Sequence, residues 1–287
     1  MEKPLKVAVV IVNYELPQDT ITCLQSLAES SIEHLHILVI DNGSKDDSIS
    51  QIRTAFKDVE ILALPTNTGF VGGYNAGIER ALASDVSHIF LLNNDTTVDP
   101  SSLQFLLNSP WDIAVPKILL MAKPATIWSA GARWRHFPPS VVMNGYLKMD
   151  DGSYDEQHPL EFATGCALMV KRHVFESIGG FDNEFENYTE DYDFFYRAGK
   201  AGFSSGYIPQ ARIYHKVSAT IGADSPEKWW YMGRNTVLFY RKENRLPAWK
   251  LWCQLTWVLI RESIKGNVGL MPAYWHGIQS GRRLLRR

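Results

Sequence analysis

An α/β fold built on a parallel, doubly wound sheet is predicted for the first hundred residues by three observations. Strand-like runs alternate with helical patterns at the rhythm of βαβ units. Two of those runs, HILVI and IFLL, are nearly all apolar, as strands covered by helices on both faces must be. Polar clusters follow the strands in succession, on the edge where such sheets bind ligands. In order, the pattern gives a strand over 6–13, a helix over 20–30, a strand over 36–41 and a helix over 46–56. A strand over 60–64, a helix over 73–83 and a strand over 88–93 follow.

Ligands of these sheets sit beyond the C-terminal strand ends, so four clusters fall on one rim. They are Asn13-Tyr14, Asp41-Asn42-Gly43-Ser44, Asn67-Thr68-Gly69-Phe70 and Asn93-Asn94-Asp95. Their convergence points to a nucleotide site. From about residue 110 the pattern loosens into Pro, Gly and aromatic residues, and the hydrophilic stretch 150–158 reads as an exposed loop. Order returns with a strand over 163–170, a short helix over 172–177, a turn at 179–182 and a helix over 190–201 ending near Gly202. A strand pair over 205–208 and 212–215 comes next.

Composition narrows the class. The 287 residues are 45% hydrophobic and 21% charged, with 29 Lys and Arg against 31 Asp and Glu. That balance excludes disordered, collagen-like and supercharged nucleic-acid-binding chains, and no nucleic-acid partner is expected. Cys23, Cys166 and Cys253 are odd in number and show no CxxC spacing, so neither a disulfide framework nor a structural zinc site is expected. The apolar run Val7–Val12 is too short for a signal-peptide core, and the one near 251–260 is about half a bilayer span. A cytoplasmic protein is expected.

The segments VVIVNY, DNGS, NTGFVGGYNAGI, LLNNDT, ATGCALMV…GGFDNEF and EDYDFFYRAGKAGF, in this order and spacing, resemble the inverting family 2 glycosyltransferases. The resemblance spans roughly residues 6–245. It implies the GT-A fold, a Rossmann-like, mostly parallel twisted sheet with helices on both faces. LLNNDT in particular resembles the rhamnosyltransferase and galactofuranosyltransferase branches.

Transfer from a nucleoside diphosphate sugar requires three things: base and ribose held, leaving diphosphate neutralised, and acceptor hydroxyl deprotonated. Asp41, at a strand end, can accept from a uracil or thymine imide N–H, the role its family position implies; the same residue also suits an Asx-turn or helix cap. Asn13, Asn67, Gly69, Asn75 and Asn94 line the same nucleotide side, the glycines at 69, 72 and 73 allowing close backbone approach. Asn93-Asn94-Asp95 occupies the slot of the family's metal-binding DXD with its first acid replaced, which leaves Asp95 as the carboxylate for Mn2+ or Mg2+. His215 resembles the family histidine that adds a metal ligand. EDYD…R matches the ED-x-D…R pattern, which implies Asp191 as general base, with Glu190 and Asp193 in support and Arg197 as an ion partner one turn along. Thr164 and Gly165 resemble the loop beside donor sugar and acceptor. Trp128 offers a stacking face and Arg234, in the RN element, a group for the diphosphate; Trp134, Trp229 and Trp230 suit either sugar stacking or the core.

Residues 246–287 carry seven basic residues against one acid and four of the nine tryptophans. On a helix Lys250, Gln254, Arg261 and Lys265 fall within about 60° of one another. Two readings stay open for this helical appendage: packing on the catalytic domain 1–245 or on the partner in a homodimer, or in-plane docking on the inner membrane leaflet, helped by Arg282, Arg283, Arg286 and Arg287. Within 1–245, residues 1–109 form the nucleotide half and 110–245 the acceptor and catalytic half. The expected activity is metal-dependent inverting transfer of rhamnose or another hexose from a UDP- or dTDP-sugar to a glycan or lipid-linked acceptor in cell-surface polysaccharide synthesis. A noncatalytic nucleotide- or glycan-binding protein on the same fold is the alternative. A sugar nucleotidyltransferase is disfavoured, because the first strand runs into Asn13-Tyr14-Glu15 and not a glycine-rich phosphate loop.

Overall fold

A computed structural model describes residues 6–32, 35–217, 225–242 and 247–285. Its first half alternates as expected: β1 (Val7–Asn13), α1 (Pro17–Ala28), β2 (His36–Asp41), α2 (Ser48–Ala55), β3 (Glu60–Ala63), α3 (Gly69–Leu82) and β4 (His88–Asn93). β5 (Thr96–Val98), α4 (Ser102–Leu107), β6 (Ile113–Leu120) and β7 (Lys123–Ser129) follow, then a hairpin of β8 (Ala132–His136) and β9 (Pro139–Met143). The remainder is β10 (His158–Pro159), β11 (Ala167–Lys171), α5 (Arg172–Ile178), α6 (Glu190–Lys200), β12 (Ser205–His215) and three helices, α7 (Pro226–Arg241), α8 (Ala248–Ile264) and α9 (Met271–Leu284).

The main sheet runs β10-β12-β6-β11-β4-β1-β2-β3. β3, β2, β1 and β4 are mutually parallel, β11 lies antiparallel between β4 and β6, and β12 is parallel to β6. Alternate residues of β1 feed opposite faces: Ala8 and Val10 join the core under α3, α5 and α6, while Val7, Val9 and Ile11 join the core under α1, α2 and α4. Burial on both faces explains why β2 and β4 read as continuous apolar runs. Register sets Asn13 beside Asp41, and Val12 beside Asn93, so the strand ends form one rim.

Three differences from the sequence reading have local causes. α3 starts at Gly69, a turn earlier than the pattern suggests, because the glycine run is helix lying directly on β1. A Cβ at Gly73 would come within 2.8 Å of Val12 Cγ1, and one at Gly77 within 2.2 Å of Val10 Cγ1. The two strands over 205–215 are one strand whose register shifts between Ile208 and Arg212, at Pro209, which has no N–H for the ladder. β11 begins only at Ala167, since the N–H of Gly165 is spent on a side chain in the site.

The stretch around 150–158 is largely exposed, yet two of its carboxylates reach inward. Lys117 on β6 is fully buried, and its ammonium pairs with Asp150 at 2.6 Å and with Asp155. A cation inside an apolar layer must be paired, so this loop is anchored by its charges. Asp150 carries most of the effect, because half-exposed Asp155 is screened by water.

The C-terminal helices belong to the same core. Leu251, Leu255, Val258, Tyr274 and Ile278 join the cluster that contains β1 and α6 residues. α9 lies on α7 backbone to backbone: a Cβ at Gly277 would sit 2.0 Å from the Trp230 carbonyl oxygen, and one at Gly233 2.2 Å from that of Tyr274. Trp229 is buried against Tyr274 here, while Trp134 packs between Phe162 and Tyr240, so these rings serve the core.

Lys117→Ala leaves Asp150 buried without its cation and is expected to cost about 3–5 kcal/mol, a fall of roughly 10 °C in Tm. Thermal denaturation checks it, and an unchanged Tm would show that the pair anchors nothing.

Candidate active site

Four loop ends interlock at the rim. Thr20 donates to Asn13 Oδ1 at 2.7 Å, and Asn13 donates to Asp41 Oδ1 at 2.9 Å and to Ser44 at 3.3 Å. The Ser44 N–H donates to Asp41 Oδ2 at 3.1 Å, so the carboxylate is held between two strands' loops, with lone pairs left over. Asn94 donates to Thr20 at 3.2 Å. Asn42 donates to Asn67 Oδ1 and to the Gly69 carbonyl, and accepts from the Thr68 N–H and hydroxyl. Asn13, Asp41, Asn67, Gly69 and Asn94 thereby come together as one polar wall. Asn75 stands apart from it. Its amide clasps the loop before α6, donating to the Phe181 carbonyl and Asn183 and accepting from the Phe181 N–H.

The NND segment divides its labour. Asn93 accepts from the Tyr74 hydroxyl at 3.0 Å. Pairing of β5 with β12 sets Thr96 beside His215, and His215 Nε2 lies 3.2 Å from Asp95 Oδ1. The other imidazole nitrogen, Nδ1, is buried without a hydrogen-bond partner. Trp128 meets the ring edge-on at 4.6 Å and fixes its plane. Burial opposes protonation of His215, but Cys166 and Asp95 outweigh it and raise its pKa. Among the described residues no group of three or more His, Cys, Asp and Glu side chains is arranged to hold a metal. Asp95 and His215 therefore fit a hard divalent cation only as a partial ligand set, the rest being phosphate oxygens and water.

Asp191 lies in the first turn of α6. Its Oδ2 accepts from the Gly165 N–H at 3.0 Å, and its Oδ1 from the Tyr192 N–H. A Cβ at Gly165 would lie 3.5 Å from Asp191 Cβ, so the Thr164-Gly165 turn and the acid are in contact. Burial pushes the Asp191 carboxyl up to about 6 in spite of those two N–H groups. Glu190 is buried with Oε2 unpartnered; burial first, then the Asp191 charge, raises it well above the carboxylate range. Asp193 is bound to Arg197 at 2.7 Å, as the i,i+4 spacing suggests.

What presents Asp191 is a loop the sequence does not reveal. Glu186, Tyr188 and Thr189 all take positive φ, a costly conformation for side-chain-bearing residues. Asn235 on α7 holds them, its amide within 2.7–2.9 Å of the carbonyls of Phe185, Asn187 and Tyr188. Arg234 is buried beside it, donating to Glu186, Asn235 and the Phe185 carbonyl and stacking on Trp230. Its hydrogen bonds thus go to the loop behind the site and not to the rim. The Glu186 carbonyl accepts from the Val71 N–H, which joins this loop to the start of α3 beside the polar wall.

The glycosyl transferase family 2 model matches residues 8–179. An N-acetylglucosaminyl-diphospho-decaprenol L-rhamnosyltransferase of Mycobacterium tuberculosis is 26% identical over 262 residues, covering 82% of this chain and 83% of that protein. A low-salt glycan biosynthesis hexosyltransferase of Haloferax volcanii, Agl10, is also 26% identical, over 72% of this chain and 66% of its own. Among solved structures, GalNAc-T7 with UDP, GalNAc and Mn2+ superposes with a TM-score of 0.66 at 15% identity, covering 85% of this chain and 50% of that one. S. aureus TarS 1–349 in complex with UDP gives 0.55 at 15% identity, covering 90% and 72%.

Loss of the Asn235 amide frees three carbonyls in a strained loop. Asn235→Ala is expected to cost about 1–3 kcal/mol of stability, and Asn235→Asp, isosteric but acceptor-only, at least as much. Denaturant titration of the two variants checks this; full stability in Asn235→Asp would refute the clamp.

Proposed function

The chain belongs to glycosyl transferase family 2 and is a glycosyltransferase; from that premise we propose that it transfers a sugar, rhamnose first among candidates, from a dTDP- or UDP-sugar to a lipid-linked glycan precursor with inversion. The observation that carries this reading is Asp191, a half-buried carboxylate with a raised pKa, at the turn joining the acceptor side to the nucleotide wall. The rhamnosyltransferase and hexosyltransferase relatives support the class of donor and acceptor, and cell-surface glycan synthesis as the setting.

Each residue has a task in this proposal. Asp41, with Asn13, binds the base; the backbone around Asn67 and Gly69 lines the ribose and diphosphate side. Asp95 and His215 would hold a Mn2+ or Mg2+ ion, which supplies neutralisation of diphosphate charge. Asp191 takes the proton of the acceptor hydroxyl as its oxygen bonds to the sugar's anomeric carbon, while the bond to the diphosphate breaks on the opposite face. The nucleoside diphosphate leaves with the electron pair, and no covalent enzyme intermediate is needed. Thr164 and Gly165 leave room beside that carbon. Burial and the neighbouring Asp191 charge both oppose ionisation of Glu190, which favours a single charge shared at this pair. An acceptor carried on lipid sets the enzyme to work peripherally at the cytoplasmic leaflet, through the 246–287 appendage.

Two predictions separate the roles. Asp191→Asn should lower kcat by at least about 10³-fold while UDP or dTDP still raises Tm, because the base acts on the acceptor; loss of nucleotide binding would assign Asp191 to the donor. In the wild type the base must be ionised, so kcat/KM should rise with pH through about 6 and then level. A profile flat from pH 5 to 8 would contradict the assignment.

A further inference from the structure

α8 and α9 leave an unusual surface. Eight of the fourteen exposed large hydrophobic side chains among the described residues lie on or between them: Trp249, Trp252, Trp257, Ile260, Ile264, Val268, Trp275 and Leu285. On α8, Trp249, Trp257, Ile260 and Ile264 fall within roughly 80° of one another at about 100° per residue. Ile264 is 82% exposed and Trp249 60%. The opposite side of the helix, with Leu251, Leu255 and Val258, is buried in the core, so this stripe is not the packing face. Next to it runs a cationic stripe of Lys250, Arg261 and Lys265. Lys250 lies over the Trp249 ring and Arg282 over the Trp252 ring, each 5.5 Å from the centroid, which ties cation and indole together at the edge. Glu262 is the one acid of the segment, and it is buried and paired with Arg261 and Lys265.

We propose that the exposed Trp/Ile stripe of α8, with its flanking Lys250 and Lys265 and with Arg282 and Arg283 of α9, is a docking face for an anionic phospholipid bilayer, on which the enzyme lies in plane. The inference deepens the lipid-linked acceptor reading above and rests on it for its purpose, though the surface itself is independent of the reaction. Charge decides the occupant. A second copy of the chain meeting this face about a two-fold axis would set Lys250, Lys265 and Arg282 against their own kind, whereas anionic headgroups complement them. Indole rings with an apolar body and a polar N–H suit the headgroup boundary. No described helix is long and apolar enough to cross a membrane, so the face lies on the bilayer and does not span it. Arg286 and Arg287, which the sequence adds to the basic end, lie outside the described residues.

Co-sedimentation of the full chain with vesicles of 70% phosphatidylcholine and 30% phosphatidylglycerol, and with pure phosphatidylcholine vesicles, tests this without nucleotide or acceptor. Partitioning is expected to favour the anionic vesicles by roughly tenfold and to weaken as salt rises. Trp257→Ser with Ile260→Ser and Ile264→Ser should lose binding to both vesicle types by at least about tenfold while Tm and the nucleotide-induced Tm shift stay unchanged. Lys250→Gln with Lys265→Gln should lose only the anionic preference. Equal sedimentation of wild type and the serine variant would overturn the proposal, as would a wild-type dimer in ultracentrifugation that the serine substitutions dissociate. Because no transfer is measured, a failed donor or acceptor assignment leaves this outcome readable on its own.

Discussion

The 3.0 Å hydrogen bond from the Gly165 N–H to Asp191 Oδ2 joins the turn entering β11 to the first turn of α6, and much of the site is arranged around it. β11 lies in the sheet against β4, so that turn is fixed relative to the Asn93-Asn94-Asp95 segment at the end of β4. Asp191 is therefore positioned against the polar rim by the sheet itself, through one backbone donor. The same bond opposes the burial that raises the acid's pKa, leaving it near 6, where a carboxylate is ionised at neutral pH yet still basic enough to take a proton.

Holding Asp191 there requires backbone that side-chain-bearing residues resist. The positive φ values at Glu186, Tyr188 and Thr189 persist because Asn235 and Arg234 occupy the loop's carbonyls and its carboxylate. Those two residues sit on α7, and α7 is held in turn by α9 across the Gly233, Gly277 and Gly281 contacts. The C-terminal helices thus have two faces with separate tasks. One supports the loop before α6 from behind, and the other carries exposed tryptophans and cations outward. A bilayer bound to the outer face would orient the whole body, since α9 packs directly on α7, backbone to backbone.

Much of this was legible in the sequence, for identifiable reasons. β2 and β4 match their expected bounds because strands buried on both faces are written as unbroken apolar runs. The rim clusters were legible because polar residues at strand ends interrupt those runs abruptly, and the structure does interlock Asn13, Asp41, Asn67 and Asn94. Arg234 was harder to place: an arginine near a diphosphate site and an arginine buried under a strained loop look alike until Glu186 is seen across the fold, 48 residues away in sequence. The Lys117 anchor was hidden for the same reason, its acid partners lying in a stretch whose composition signals only exposure. The β8–β9 hairpin escaped notice because its turn, around Phe137-Pro138, lacks the Asn-Gly signal of a tight hairpin.

The central claim is that one ionised carboxylate, Asp191, drives direct displacement at the anomeric carbon. NMR determination of the anomeric configuration in the product formed from a dTDP- or UDP-sugar and a diphospholipid-linked acceptor tests it most directly. The account predicts a configuration opposite to that of the donor in every product molecule. Retention of the donor configuration would require either a covalent intermediate or attack from the leaving-group face, and would contradict the role given to Asp191.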